Sequence, residues 1–250
     1  MNRTLHCLGT GGWLPSSERE TSCYAVRDGT RLLVLDAGTG LRRLATDPGL
    51  CAGVDRIDIV LSHFHLDHVV GLSYLDALGP AVERHVWGPG AWLYGRSTRA
   101  VVEQLTGAPY GSAPTGELFH DVHELTAATA EVAGHPVRVR AQLTHSHPSV
   151  GFRYSDAFAY CTDTAADPGT ADFVAGVPLL LHEAWTTASA SPRYHCTAEQ
   201  TARIAAAAGA GRLVLVHLDP RLPGESLLAE ATATFPSTQL GVDSQSWPLG

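Results

Sequence analysis

The chain contains no lysine; all 17 of its basic residues are arginine. A phosphate-cradling loop ending in Gly-Lys-Ser/Thr is therefore excluded. Basic charge is not in excess either. The formal net charge is −8 with His neutral, and no basic stripe is visible, which disfavours a general nucleic-acid binder. The five cysteines (Cys7, Cys23, Cys51, Cys161, Cys196) form no CxxC pair. An odd, scattered set reads as reduced thiols that serve mostly as small core residues. No apolar run approaches the ~20 residues of a membrane span. The N-terminal MNRTLHCLGTGGWLP has no long apolar segment and no cleavage signal. The expected location is the cytoplasm. Linkers, low-complexity tracts and convincing repeats are also missing.

What is present suits one domain over residues 1–250, with enough apolar residues (44%) for a sizeable core. Short strand-like runs recur at Thr4–Leu8, Ser22–Val26, Arg31–Asp36, Ile57–Ser62, Val137–Thr144, Val150–Tyr154, Ala157–Thr162, Pro178–Glu183 and Arg212–His217. Asp28-Gly29 marks a hairpin turn between two of them. Helical patterns lie at Thr39–Ala45, Val69–Leu78, Gly90–Leu105, Thr197–Ala208 and Ser226–Thr234. In the fourth, Thr197 is the expected N-cap with Glu199 nearby, and Gly209 the stop. The Pro- and Gly-rich stretch 107–116 reads as a loop or a substrate lid. Interspersed strands and helices point to a layered α/β sandwich. Asp36, His63, His145, Asp163, His182 and His217 all fall just after strands, where an α/β fold gathers distant residues into one pocket.

The sharpest motif is Ser62-His63-Phe64-His65-Leu66-Asp67-His68, directly after an apolar strand. Imidazole and carboxylate are good zinc ligands. Alternate residues of an extended stretch point the same way, so His63 and His65 can reach one metal. Asp67 and His68, at the turn into a helix, can face a second. The competing reading is a polar loop with solvated histidines, but an HxHxDH hexapeptide in this position is rare.

HxHxDH after a strand resembles the signature of the metallo-β-lactamase superfamily, which implies a four-layer αββα sandwich and a hydrolase. By that resemblance the metal ligands are His63, His65 and His145 at one site, Asp67, His68 and His217 at the other, with Asp163 bridging. The spacing of His145 to Gly151-Phe152-Arg153 is similar to the H-x5-G-Y-R of the ribonuclease Z branch, and favours His145 over His147. Other segments resemble the same branch: Leu8-Gly9-Thr10-Gly11-Gly12 with Pro15, Arg19 and Ser22; Leu35-Asp36-Ala37-Gly38; Leu181-His182-Glu183-Ala184; the run from His195 to Gln200; and His217-Leu218-Asp219-Pro220-Arg221, where Asp219 replaces a serine. Residues 74–134 match poorly. The long Gly/Pro-rich insertion that many tRNA-processing members use to grip tRNA is not found. The implied function is that of a short relative, a di-zinc phosphodiesterase acting on cyclic nucleotides or other small phosphodiesters through a metal-bridging hydroxide.

The alternatives are tRNA 3′-processing, and carbonyl hydrolysis of a thioester, lactone or β-lactam on the same cluster. RNA is a disfavoured partner on charge, and a homodimer is implied by the resemblance alone. Two Zn2+ are expected, though Mn2+ and Fe also suit mixed His/Asp sites. In the expected mechanism Asp67 orients the attacking water or takes its proton, and His195, held by Glu183, protonates the leaving oxygen. Asp36 sits behind the ligands and orients them. Arg221 and Arg153 are candidate phosphate clamps, with structural ion pairs as the plain alternative. Trp13, Tyr24, Trp87, Trp92 and Trp185 can stack on a base or simply pack. His6, His85, His120, His123 and His135 have no motif context.

Overall fold

Along Arg31–Leu35, Leu32 and Val34 point to one side and Leu33 and Leu35 to the other, and all four are buried. A strand that is apolar on both faces needs cover on both. The computed structural model describes residues 3–111, 114–126 and 128–249 and supplies that cover as four layers. The first sheet holds β1 (Arg3–Gly9), β2 (Cys23–Asp28), β3 (Arg31–Leu35), β4 (Arg56–Val60), β5 (Glu83–Gly88) and β6 (Asp121–Glu124). The second holds β7 (Ala128–Val132), β8 (His135–Gln142), β9 (Ser149–Tyr154), β10 (Phe158–Cys161), β11 (Leu179–Glu183), β12 (Leu213–Val216) and β13 (Thr238–Leu240). The last strand, β14 (Ser246–Leu249), returns to pair with β1. In space the orders are β14-β1-β2-β3-β4-β5-β6 and β13-β12-β11-β10-β9-β8-β7.

The inner faces meet in a core that includes Tyr24, Leu33, Leu35 and Val60 from one sheet and Phe152, Tyr160, Leu181 and Val216 from the other. Helices α1 (Arg42–Thr46), α2 (Pro48–Cys51), α3 (Leu66–Val69), α4 (Thr98–Thr106) and α5 (Thr115–Leu118) lie against the outer face of the first sheet. Helices α6 (Gly169–Phe173), α7 (Ala198–Ala208) and α8 (Gly224–Thr234) lie against that of the second. This is the expected αββα sandwich. Strands β3 to β6 run parallel, as do β10 to β13. Residues that follow the parallel strands therefore collect at one edge of the sandwich, where α/β sheets place their ligands.

Several local expectations change. The Gly90–Leu105 pattern is not one helix. A wide turn over Gly90–Tyr94 ends at Gly95 in the left-handed region (φ 64°), and α4 starts afresh with the Ser97 side chain accepting from Ala100 N–H at 3.2 Å. Residues Val70–Leu78 wind as 3-10 turns after the single turn of α3. Strands β5, β6, β7, β13 and β14 were not expected. Within the 107–116 stretch, residues 112 and 113 lie outside the described residues, and none of the others lines the cleft at the strand ends. The cysteines are free, and all but Cys51 are buried. No described helix is long and apolar enough to cross a membrane.

Helix α7 begins with a capping box: Thr197 accepts from Gln200 N–H at 3.2 Å, and the Gln200 side chain accepts from Thr197 N–H at 2.9 Å. The partner is Gln200, because only the third residue of the first turn reaches back to the cap. Thr197→Ala is expected to cost about 1 kcal/mol and to lower the melting temperature by roughly 2–4 °C in a thermal melt; no shift would mean that the cap adds nothing.

Candidate metal centre

The centre is held up by one fully buried carboxylate. Asp36, just past β3, accepts from Ser62 N–H at 2.7 Å, Ser62 Oγ at 2.8 Å, His68 Nδ1 at 2.8 Å and Tyr160 OH at 2.8 Å. The Ser62 hydroxyl gives its proton to Asp36, so it accepts from His63 Nδ1–H at 2.9 Å. His63 and His68 are thereby fixed in the tautomer that leaves Nε2 bare. Both Nε2 atoms are buried without a hydrogen-bond partner. His145 is set in the same way, its Nδ1–H donating to the Tyr194 carbonyl at 3.1 Å. Such outer contacts are what orients a metal-binding imidazole.

Two ligand groups face each other across Asp163. One combines His63, His65, His145 and Asp163; the other combines Asp67, His68 and His217. Asp163 Oδ1 lies 3.4 Å from His145 Nε2 and 3.8 Å from His63 Nε2. Its Oδ2 lies 3.1 Å from His68 Nε2 and 3.3 Å from His217 Nε2. The two oxygens of one carboxylate are thus divided between the two groups. The residues of the two sequence-derived sets are brought together. His147 is exposed, with Nδ1 3.3 Å from His65 Nε2, at the rim of the first group.

Electrostatics favour cation binding. Burial holds the His63 imidazole well below its usual range and takes His65 down to about 4. Burial would push Asp163 up, but His217, His68 and His63 outweigh it and hold the carboxyl well below its ordinary range. Neutral imidazole and ionised carboxylate are the forms that ligate metals. His68 is also desolvated, yet the carboxylates of Asp67, Asp163 and Asp36 raise it well above its usual range; a cation and a proton compete for its Nε2.

The backbone is shaped around the cluster. Asp36, Asp163, His217 and Trp13 all have positive φ, at 57°, 50°, 50° and 61°. Such conformations cost roughly 1–3 kcal/mol each and persist where the surroundings impose them. Gly12 lies flat on the His217 ring; a Cβ there would sit 2.5 Å from its Cε1. The next N–H, that of Trp13, donates to Asp67 Oδ2 at 2.7 Å. The Gly-rich loop after β1 is therefore part of the site.

His195 completes one wall. Its Nδ1 lies 3.0 Å from Glu183 Oε2, and the fully buried Glu183 also accepts from the N–H groups of Thr164 and Cys196. Burial alone would lower the His195 pKa, but the Glu183 carboxylate raises it to about 9. The ring packs on both Trp185 (4.9 Å) and His217 (5.5 Å), which also touch each other at 5.6 Å, and it lines the cleft. His182, one residue before Glu183, points to the other face of β11 and meets Thr201 of α7 at 3.4 Å, outside the cluster.

Both arginine expectations change. Arg153 is not brought to the site. It lies on β9 and its guanidinium binds the carbonyls of Phe173 and Ala175 and the Asp156 carboxylate. Its side chain emerges on the helix-covered face, as the alternation along β9 requires. Arg221 stands beside the cleft but is already paired, Nε and Nη2 reaching both oxygens of Asp219 at 2.8 and 2.7 Å. Of the five aromatics, Trp13 and Trp185 line the cleft. Tyr24 is buried in the core, Trp92 packs against it, and Trp87 stacks on His123 at 4.0 Å. Sequence reasoning missed Tyr160, Tyr194 and the Trp13 N–H. Two of these contacts are made by backbone groups, which carry no side-chain signal.

Asp36→Ala is expected to destabilise the fold by about 3–5 kcal/mol, the scale for breaking a buried charged network. Tyr160→Phe should cost only about 1 kcal/mol, one hydrogen bond. Urea denaturation separates the two; equal losses would mean that Asp36 is not the hub.

The comparisons with known proteins agree with this geometry. A family model described as "Beta-lactamase superfamily domain" matches residues 31–218. A "Ribonuclease Z" from Porphyromonas gingivalis is 28% identical over 292 residues, covering 94% of this chain and 95% of the relative. The metallo-beta-lactamase fold protein YhfI from Bacillus subtilis superposes with a TM-score of 0.81 at 20% identity, covering 99% of this chain and 100% of the other. The short form of human tRNase Z superposes at 0.76 and 21% identity, covering 99% of each chain. A diphosphatase from the PhnP family does so at 0.75 and 20%, covering 98% of this chain and 97% of the other. Similar to the ribonuclease Z relatives over nearly its whole length, the chain belongs to the metallo-β-lactamase superfamily of hydrolases.

Proposed function

We propose that this hydrolase is a two-zinc phosphodiesterase that acts on cyclic nucleotides or other small phosphodiesters. The observation that carries the reading is the placement of His195, backed by buried Glu183, on the wall of a cleft that also holds both ligand groups. The residues fit a pair of metal ions. His63 Nε2 and His68 Nε2 are buried polar atoms with no other partner, and a mixed set of imidazoles and carboxylates is zinc chemistry. His63, His65 and His145 would hold one ion, Asp67, His68 and His217 the other, and Asp163 both.

Zinc bound there supplies positive charge for the phosphoryl oxygens and brings the pKa of water down toward ~7. The chain does the rest. Asp67, fixed by the Trp13 N–H, orients the attacking water and takes its proton. His195 gives its Nε2 proton to the departing oxygen, while Glu183 holds Nδ1–H and balances the imidazolium charge. Water and diester thus become a monoester and an alcohol. Glu183 fixes the ring and itself stays ionised.

A second reading is tRNA 3′-end processing, favoured by the name ribonuclease Z on the curated relatives. The acidic balance and the alignment weigh against it. The 292 aligned positions exceed the 250 residues of this chain, so the relative carries residues with no counterpart here.

The zinc-loaded protein should cleave bis(p-nitrophenyl) phosphate, and His63→Ala should abolish this. Cleavage of p-nitrophenyl acetate, a thioester or a β-lactam reporter instead would move the reading to carbonyl chemistry. His195→Ala should slow a cyclic nucleotide, whose alkoxide leaving group needs a proton, by roughly 10²–10⁴-fold. It should slow the nitrophenyl diester far less, because nitrophenolate leaves unaided. Equal slowing of both substrates would remove the acid role.

A further inference from the structure

Two clefts meet at Trp185. The one over the ligand groups has a volume of about 220 Å3. Its neighbour, of about 340 Å3, is lined by Trp185, Pro192, Asp219, Arg221 and Leu222, among others. Small-molecule sites begin at roughly 300 Å3, so a substrate reacting in the first cleft extends into the second. Trp185, which lines both clefts, stacks on His195 at 4.9 Å and tilts against His217 at 5.6 Å, so the second cleft adjoins His195. Under the phosphodiesterase reading, on which this inference rests, His195 protonates the leaving oxygen. The second cleft therefore meets the leaving group.

Its charge is cancelled from within. Arg221 Nε and Nη2 bind both oxygens of Asp219, and the Arg221 N–H adds a third bond at 2.9 Å. Asp219 is almost fully buried, whereas the arginine side chain is 64% exposed. The guanidinium plane also lies over the Trp13 ring, 5.0 Å from its centre. A phosphate arriving here meets an arginine whose charge and fork are already matched by a carboxylate. The surface offers instead flat and apolar contacts: the Trp185 indole, the guanidinium plane, Pro192 and Leu222.

We propose that Trp185, Leu222 and the Arg221–Asp219 pair form a leaving-group subsite for an uncharged, flat group, an aryl or nucleoside alcohol, and select against a leaving group that carries a further phosphate. Base stacking on an aromatic tolerates any base, since each has a π-face. A cyclic mononucleotide meets the condition, with one base and one phosphate, and a polynucleotide does not.

The test compares a dinucleoside monophosphate with the same molecule bearing a terminal phosphate on both nucleosides, so that the direction of binding is immaterial. The zinc-loaded wild type should show the lower KM for the plain compound. Asp219→Asn leaves Arg221 charged and unmatched, and should shift the KM ratio toward the phosphorylated compound by about fivefold, the scale of one exposed ion pair. Arg221→Gln leaves the carboxylate alone and should shift the ratio the opposite way. Quenching of tryptophan fluorescence by adenosine and by adenosine 3′,5′-bisphosphate should reproduce both shifts as changes in Kd, whether or not diesters are cleaved. Shifts of the same sign in the two variants, no shift in either, or a wild-type preference for the phosphorylated compound would overturn the subsite. Failure to cleave any diester, with both Kd shifts intact, would instead overturn the phosphodiesterase reading and leave the charge-sensing surface standing.

Discussion

The Asp36 carboxylate is the contact on which the site depends. Buried, it must be matched by hydrogen bonds, and its partners come from three places: the loop after β4, the single turn of α3, and Tyr160 on β10 of the opposite sheet. It therefore ties the two sheets together at the edge where the parallel strands end. The bonds that stabilise the carboxylate also turn His63 and His68 so that their bare nitrogens face inward. Stability and ligand orientation are thus one arrangement.

From that hub the centre is assembled by the ordinary logic of the sandwich. Parallel strands in both sheets release their chains at the same edge; short left-handed turns at Asp163 and His217 bring their side chains to the cleft, and one at Asp36 sets its carboxylate beneath the histidines. Asp163 then links the two groups by giving one oxygen to each. Beside it, Glu183 repeats the pattern of Asp36 for another imidazole, a buried carboxylate fixing the ring that lines the cleft. The outer wall carries Trp13 and Trp185, with a self-matched Arg221 beside it.

Much of this could be read from the sequence where the signal was local. HxHxDH places four candidate ligands on one short loop, and the unbroken apolar run of β3 announces burial on both faces. The downstream His145, Asp163 and His217 depended on resemblance, because residues far apart in sequence meet only through sheet topology. Arg153 and His182 were harder. Each sits in the right segment, yet on a strand the next residue points the other way, and which face turns outward is settled by the helices that cover it. Arg221 lies beside the cleft, but its partner is two residues away, and a bidentate pair cannot be told from a phosphate clamp without coordinates. The helix expected over Gly90–Leu105 broke because Gly95 adopts a left-handed turn and Ser97 offers a fresh cap.

We propose that Asp163 and the six residues around it hold two metal ions. Calorimetric titration of zinc into the metal-stripped protein tests it most directly. Two equivalents should bind per chain, falling to one or fewer in Asp163→Ala, because the oxygens of that carboxylate face both groups. A single equivalent in the wild type, or two retained after loss of Asp163, would contradict it.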